Sequence, residues 1–179
     1  MTKLLGISGS LRKDSFNTKL VHEAIRAFGP DHYQIADLNI PLFNEDVEAE
    51  GQPESVAKIC EQIAWADAIV ISSPEYNKGP SGVIKNCLDW ISRPRPAPMA
   101  GKPVAVVSAT AGLAGGERAK SAMYLFLVPF KVRLVFQPEV NIGNASANFD
   151  DQGHLTDDAK AKALDGLMSA LKAEIPRED

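Results

Sequence analysis

Two kinds of hydrophobic pattern alternate along this chain. Residues 3–8, 68–71 and 104–107 are short runs, apolar almost throughout and without a regular polar face, the pattern of strands covered on both sides. Between them, apolar residues recur every three to four positions. Leu20, Val21, Ala24, Ile25 and Phe28 run up to a stop at Gly29-Pro30; Val56, Ile59, Cys60 and Ile63 follow Pro53; Val83, Ile84, Cys87, Leu88 and Ile91 precede the proline-rich residues 93–98. These spacings predict amphipathic helices, begun or ended by proline and glycine. Weaker patterns predict strands at 32–38 and 131–136 and a helix at about 117–127. A last helix is expected after Thr156 as its N-cap, with Leu164, Leu167, Met168 and Leu171 facing inward. Residues 39–52 and 141–153 read as long connections.

Strands that alternate with helices and are apolar on both faces imply a parallel sheet with helices on each side. The expected fold class is α/β, a doubly wound three-layer sandwich in one domain spanning 1–179. In such sheets ligands bind beyond the carboxyl ends of the strands, where the strand order reverses. That rule selects three loops, those after the first, third and fourth strands.

Composition narrows the class of function. The chain has 179 residues, 45% of them hydrophobic, and a net charge of −4, which argues against a sequence-independent nucleic-acid binder. The apolar run at the N-terminus breaks at Ser8, too early for a signal-peptide core, and no stretch approaches the roughly 20 apolar residues of a membrane span. A cytoplasmic protein is expected. Cys60 and Cys87, the only cysteines, fall on apolar helix faces and read as small buried hydrophobes. His22, His32 and His154 are scattered and stand near none of the three loops, so no metal site is expected.

The first loop brings Ser10, Arg12, Ser15, Asn17 and Thr18 to the start of a helix. Unpaired N–H groups and the positive dipole end there attract anions, and hydroxyls with one arginine complete a cage for a phosphate monoester. The competing reading is a Ser15 or Asn17 helix cap beside a solvated Arg12. Neither G-x-G-x-x-G nor a P-loop is present, and there is no G-x-S-x-G nucleophile elbow. The second loop, residues 73–82, offers Tyr76, Asn77 and exposed N–H groups, a set suited to a flat heteroaromatic ring. With no conspicuous acid, base or nucleophile, the reactivity is expected to come from a bound cofactor.

At these residues the sequence resembles the NAD(P)H-dependent FMN reductase family, which includes bacterial quinone and chromate reductases. The segments GSLRKDSFN (9–17), SPEYN (73–77) and KNCLDWISRP (85–94) carry the resemblance, supported by AGKPVAVVSAT (100–110) and GGERA (115–119). The resemblance implies a flavodoxin-like fold with strand order 2-1-3-4-5. It implies that Ser10, Arg12, Ser15, Phe16 and Asn17 hold the FMN phosphate and that Pro74, Glu75, Tyr76 and Asn77 line the isoalloxazine. Ser108, Thr110 and Gly112 would close the other side of the ring. Asn86, Asp89 and Trp90 would support the second loop, with a core aromatic the stronger reading of Trp90. Asp14, Lys78-Gly79 and Ser81 depart from the usual family pattern.

The activity so implied is ping-pong hydride transfer from NADPH or NADH through FMN to quinones, with chromate, azo compounds and free flavin as further acceptors. The competing reading is a flavodoxin-like electron carrier with no substrate of its own. The resemblance also implies a homodimer or homotetramer, with Arg118, Tyr124 and Glu139 as candidate subunit contacts.

Overall fold

The computed structural model describes residues 1–176. The chain opens with β1 (Lys3–Ser8), α1 (Phe16–Phe28) and β2 (His32–Ala36), followed by a one-turn α2 (Glu45–Ala49), α3 (Glu54–Trp65) and β3 (Ala68–Ser72). A small hairpin, β4 (Glu75–Tyr76) and β5 (Gly79–Pro80), leads into α4 (Gly82–Ile91) and β6 (Pro103–Ala109). Then come α5 (Glu117–Leu127), β7 (Arg133–Val135), β8 (Asn141–Ile142), α6 (Ala145–Asn148) and α7 (Asp158–Ala173).

The main sheet is parallel in the order β2-β1-β3-β6-β7, which is the expected 2-1-3-4-5 with the long strands counted along the chain. β8 adds a short parallel pairing to the end of β6, Ser108 to Asn141 and Ala109 to Ile142. Residues 141–153, expected as a plain connection, therefore hold a strand and a helical turn, too short to leave a periodic pattern. The same holds for α2 within residues 39–52 and for β4 and β5. The last helix is capped by Asp157, not Thr156: the Asp157 carboxylate accepts from Ala159 N at 2.9 Å and Lys160 N at 3.1 Å. Thr156 Oγ1 donates instead to the carbonyl of Ala147.

Alternate residues of each strand feed two cores. Leu4, Val70, Ala105 and Val107 meet α1 and α7 on one face. Leu5, Ile7, Ile69, Ile71, Val104 and Val106 meet α3, α4 and α5 on the other. Each fully buried Leu, Ile or Val side chain among them contributes about 1.5–3 kcal/mol, and the strands are covered on both sides as their continuous apolar runs require.

Into the first core α1 also carries Glu23, only 2% exposed. Its carboxylate accepts from Arg26 at 2.8 and 3.0 Å and from Leu155 N at 3.0 Å, and lies 2.9 Å from His154 Nδ1. Burial pushes the carboxyl pKa up, but the bonds from Arg26, His154 and Leu155 outweigh it and bring the pKa from 4.5 to about 2. His154 thus fastens the 150–155 segment to α1. A carboxyl whose folded pKa is depressed stabilises the fold above its unfolded pKa and loses that contribution as the pH falls from about 4.5 to about 2. Urea titrations at stepped pH are expected to show Glu23→Gln flattening this acid limb by about 2–3 kcal/mol. An acid limb of unchanged slope in the variant would refute the assignment.

Candidate functional site

Pairing of Ser8 with Ser72 and of Ser72 with Val107 brings the carboxyl ends of β1, β3 and β6 level. Their loops enclose a cavity of about 310 Å³. The loop after β1 contributes Ser10, Arg12, Ser15, Phe16 and Asn17 to its wall. The loop after β3 contributes Pro74, Glu75 and Tyr76, and the loop after β6 contributes Thr110 and Gly112 together with Ala109 and Ala111, which sequence reasoning did not single out. Small side chains at the end of a strand leave room for a ligand but carry no chemical signal. A wider opening of about 930 Å³ lies at the amino ends of the strands, around Lys3, His32, Asp67 and Lys172, and none of the three loops reaches it.

The first loop leaves β1 through Gly9, where a Cβ would come within 2.6 Å of Ile84 and 3.1 Å of Pro74, so only glycine lets the loop lie down on α4. Ser15 caps α1, its hydroxyl accepting from Asn17 N. Arg12 is exposed, and its guanidinium bonds to the carbonyl of Asp14 at 3.4 Å; among the described residues it forms no salt bridge. Asp14 is exposed as well. Phe16 stacks on Phe149, with centroids 5.6 Å apart.

Asn17 is 4% exposed and joins all three loops. Its Oδ1 accepts from Ser72 Oγ at 2.9 Å and Ala109 N at 3.1 Å, and its Nδ2 donates to the carbonyl of Ala109 at 2.9 Å. One side chain from α1 thus satisfies the ends of β3 and β6.

The second loop is a hairpin in which Tyr76 pairs with Gly79 across Asn77 and Lys78, both at positive φ, 50° and 67°. Positive φ at both central positions is the backbone of a type I′ turn, which is why Lys78-Gly79 is compatible with a tight connection. Asn77 is therefore at the exposed tip and does not line the cavity. Ser81 donates to the carbonyl of Gly9 at 2.6 Å and caps α4, so it ties the second loop to the first. The Glu75 carboxylate accepts from Arg118 N and Ala119 N, both at 3.1 Å.

Ser108 also stands outside the cavity lining: it is fully buried, and its hydroxyl donates to the carbonyl of Ser73 at 2.7 Å. Thr110 exchanges backbone bonds with Ile142 and Ala145, so β8 and α6 hold the third loop from behind. Asn86 does not support the second loop as expected, and Trp90 is the buried core aromatic of the stronger reading. They brace the loop after β2: both donate to the carbonyl of Pro41 at 2.9 Å, and Asn86 Oδ1 accepts from Phe43 N. Asp89 pairs with Lys85 on the same helix. Among the candidate subunit contacts, Glu139 pairs with the buried Lys120 at 3.1 Å and Tyr124 packs edge-on against Phe136.

Burial pushes the Cys87 thiol up to about 12 and raises that of Cys60, which makes neither a nucleophile at neutral pH. Among the described residues no group of three or more His, Cys, Asp or Glu side chains could hold a metal ion, and no helix is long and apolar enough to cross a membrane.

Residues 2–147 match the family model described as NADPH-dependent FMN reductase. The chain belongs to that family. An NAD(P)H-dependent FMN reductase of Pseudomonas aeruginosa is 43% identical over 98% of this chain and 96% of its own length. A quinone reductase of Escherichia coli is 34% identical, covering 98% and 96%. Among solved structures, the flavoenzyme NAD(P)H:(acceptor) oxidoreductase of Paracoccus denitrificans superposes with a TM-score of 0.88 at 30% identity, covering 98% of this chain and 97% of that one. As a member of the family, this chain is an oxidoreductase that works with FMN and takes NAD(P)H as co-substrate. The expected class of enzyme is borne out, and the electron-carrier reading gives way to it.

Proposed function

We propose that FMN sits in the three-loop cavity and that the enzyme passes electrons from NAD(P)H to quinones by a ping-pong sequence. One observation carries the placement: Ser10, Arg12, Ser15 and the first residues of α1 line the same cavity whose other walls are the second and third loops. The donor set fits the group. A guanidinium, hydroxyls and helix-terminal N–H groups suit a phosphate monoester, and a slot between Pro74–Tyr76 and residues 109–112 suits a flat ring.

Bound there, FMN would supply the two-electron redox chemistry between NAD(P)H and the second substrate. The chain itself binds and orients. Arg12 and the α1 amides hold the anionic end, while Asn17 acts mainly by keeping the three loops in register. Tyr76, 55% exposed, forms part of the mouth, and a single open face would serve the nucleotide and the acceptor in turn. Asn77 and Ser108 contribute by shaping the loops: Asn77 as a turn residue, Ser108 by holding Ser73 in place. Quinones are the first acceptor to test; chromate, azo compounds and free flavin extend the same series. We also read the exposed Leu125, Val128 and Phe136, near Tyr124, as surface that a homodimer or tetramer would cover.

The test is the visible spectrum of the purified protein under anaerobic conditions. Bound flavin is expected to bleach with NADPH or NADH and to recover when a quinone is added. Flavin that stays oxidised with both nucleotides would refute the proposal. Light scattering on the same preparation gives the subunit count, and a monomer would remove the oligomer reading.

A further inference from the structure

We infer that Glu75 is a positioning residue whose carboxylate fastens the two walls of the flavin slot to each other. The inference rests on the proposed placement of FMN in the three-loop cavity. Glu75 lines that cavity from β4, yet its Oε2 is held by the backbone amides of Arg118 and Ala119 at 3.1 Å each, at the first turn of α5. α5 begins directly after the third loop. One side chain from the second loop therefore closes onto the element that anchors the third.

Both partners need the contact. α5 has no cap of its own: its N-cap position is Gly116, at φ 86°, without a side chain to accept a hydrogen bond. A serine or aspartate there is excluded, because a Cβ would stand 1.9 Å from Ser108 Oγ. The orphan amides of the first turn and the positive end of the helix are instead satisfied from across the cavity wall by an anion. The hairpin is equally dependent. Its strands are two residues each, too short to be stable alone, and its turn places two non-glycine residues at positive φ. With Ser81 holding the far side to Gly9, Glu75 is the anchor on the near side.

The charge has a separate consequence. A carboxylate at the slot opposes the negative charge that FMN gains on reduction, while the start of α5 favours it. Glutamine at position 75 keeps an acceptor for the two amides and removes the charge.

The experiment compares FMN release on dilution of the holoenzyme, visible circular dichroism of the bound flavin, and its midpoint potential. Glu75→Ala is expected to release FMN roughly tenfold more readily, the size of a lost helix cap, and to weaken the flavin dichroism. Glu75→Gln is expected to restore affinity and dichroism but to shift the potential upward, a change that a purely structural side chain would not produce. Should the alanine variant not fold, Glu75→Asp, one methylene too short to reach both amides, replaces it with the same expected direction. Wild-type release and dichroism in Glu75→Ala overturn the clamp, and an unshifted potential in Glu75→Gln overturns the role of its charge. Arg12→Ala run alongside separates the causes: if it loses FMN while Glu75→Ala does not, the clamp alone fails, and if neither loses FMN, the placement fails with it.

Discussion

Asn17→Leu is expected to lower the melting temperature by roughly 10 °C and to abolish tight FMN binding. The substitution keeps the branched shape of the side chain but strands three buried partners, the Ser72 hydroxyl and both backbone groups of Ala109. Each buried polar group left unpaired costs about 1–3 kcal/mol, and at this chain length a loss of about 3–5 kcal/mol moves the melting point by several degrees per two kcal/mol. Binding falls with stability because the same three bonds hold the loops in register around the cavity. Asn17→Asp separates the two effects. Its carboxylate keeps the bonds from Ser72 and Ala109 N, sets an oxygen against the Ala109 carbonyl, and adds a negative charge where we place the phosphate. Differential scanning calorimetry with and without added FMN reads both: a leucine variant that melts within 2 °C of wild type, a margin of roughly 0.5–1 kcal/mol, would show that Asn17 is not the hub.

Arg12→Ala is expected to weaken FMN binding between roughly tenfold and a hundredfold without lowering the stability of the flavin-free protein. Charge-assisted hydrogen bonds to a phosphate contribute about 1.5–3 kcal/mol, and 1.4 kcal/mol is tenfold in affinity. The fold has no stake in this side chain, which is exposed and whose guanidinium meets only the carbonyl of Asp14 at 3.4 Å. Arg12→Lys should recover part of the loss, since an ammonium keeps the charge but not the fork of donors. Flavin-fluorescence titration at two salt concentrations checks it. Equal affinity for wild type and Arg12→Ala would remove the phosphate from this loop.

The sequence by itself determined the class of fold and the end of the sheet at which we place the site. Continuous apolar runs such as Val104–Val107 within β6 can only be buried on both faces, and helical spacing between them forces a parallel sheet whose ligand end is fixed by chain direction. The segments GSLRKDSFN and SPEYN pointed to an FMN enzyme through their resemblance to the FMN reductase family, and they lie in loops at the end of the sheet that answers to chemistry and not to packing. What tertiary structure alone decided is how each side chain divides its hydrogen bonds. Ser108 and Asn77 read like ligands in the sequence, yet one is spent on the carbonyl of Ser73 and the other sits at a hairpin tip. Asn86 and Trp90 face Pro41 and Phe43, nearly fifty residues away in the chain. Glu75 caps a helix that begins some forty residues later, and Asp157 displaced Thr156 as a cap by one position. Periodicity records which face of an element is buried, because that is a sum over many residues. A single hydrogen bond between distant segments depends on where the sheet register sets two backbones, and no local pattern carries that distance.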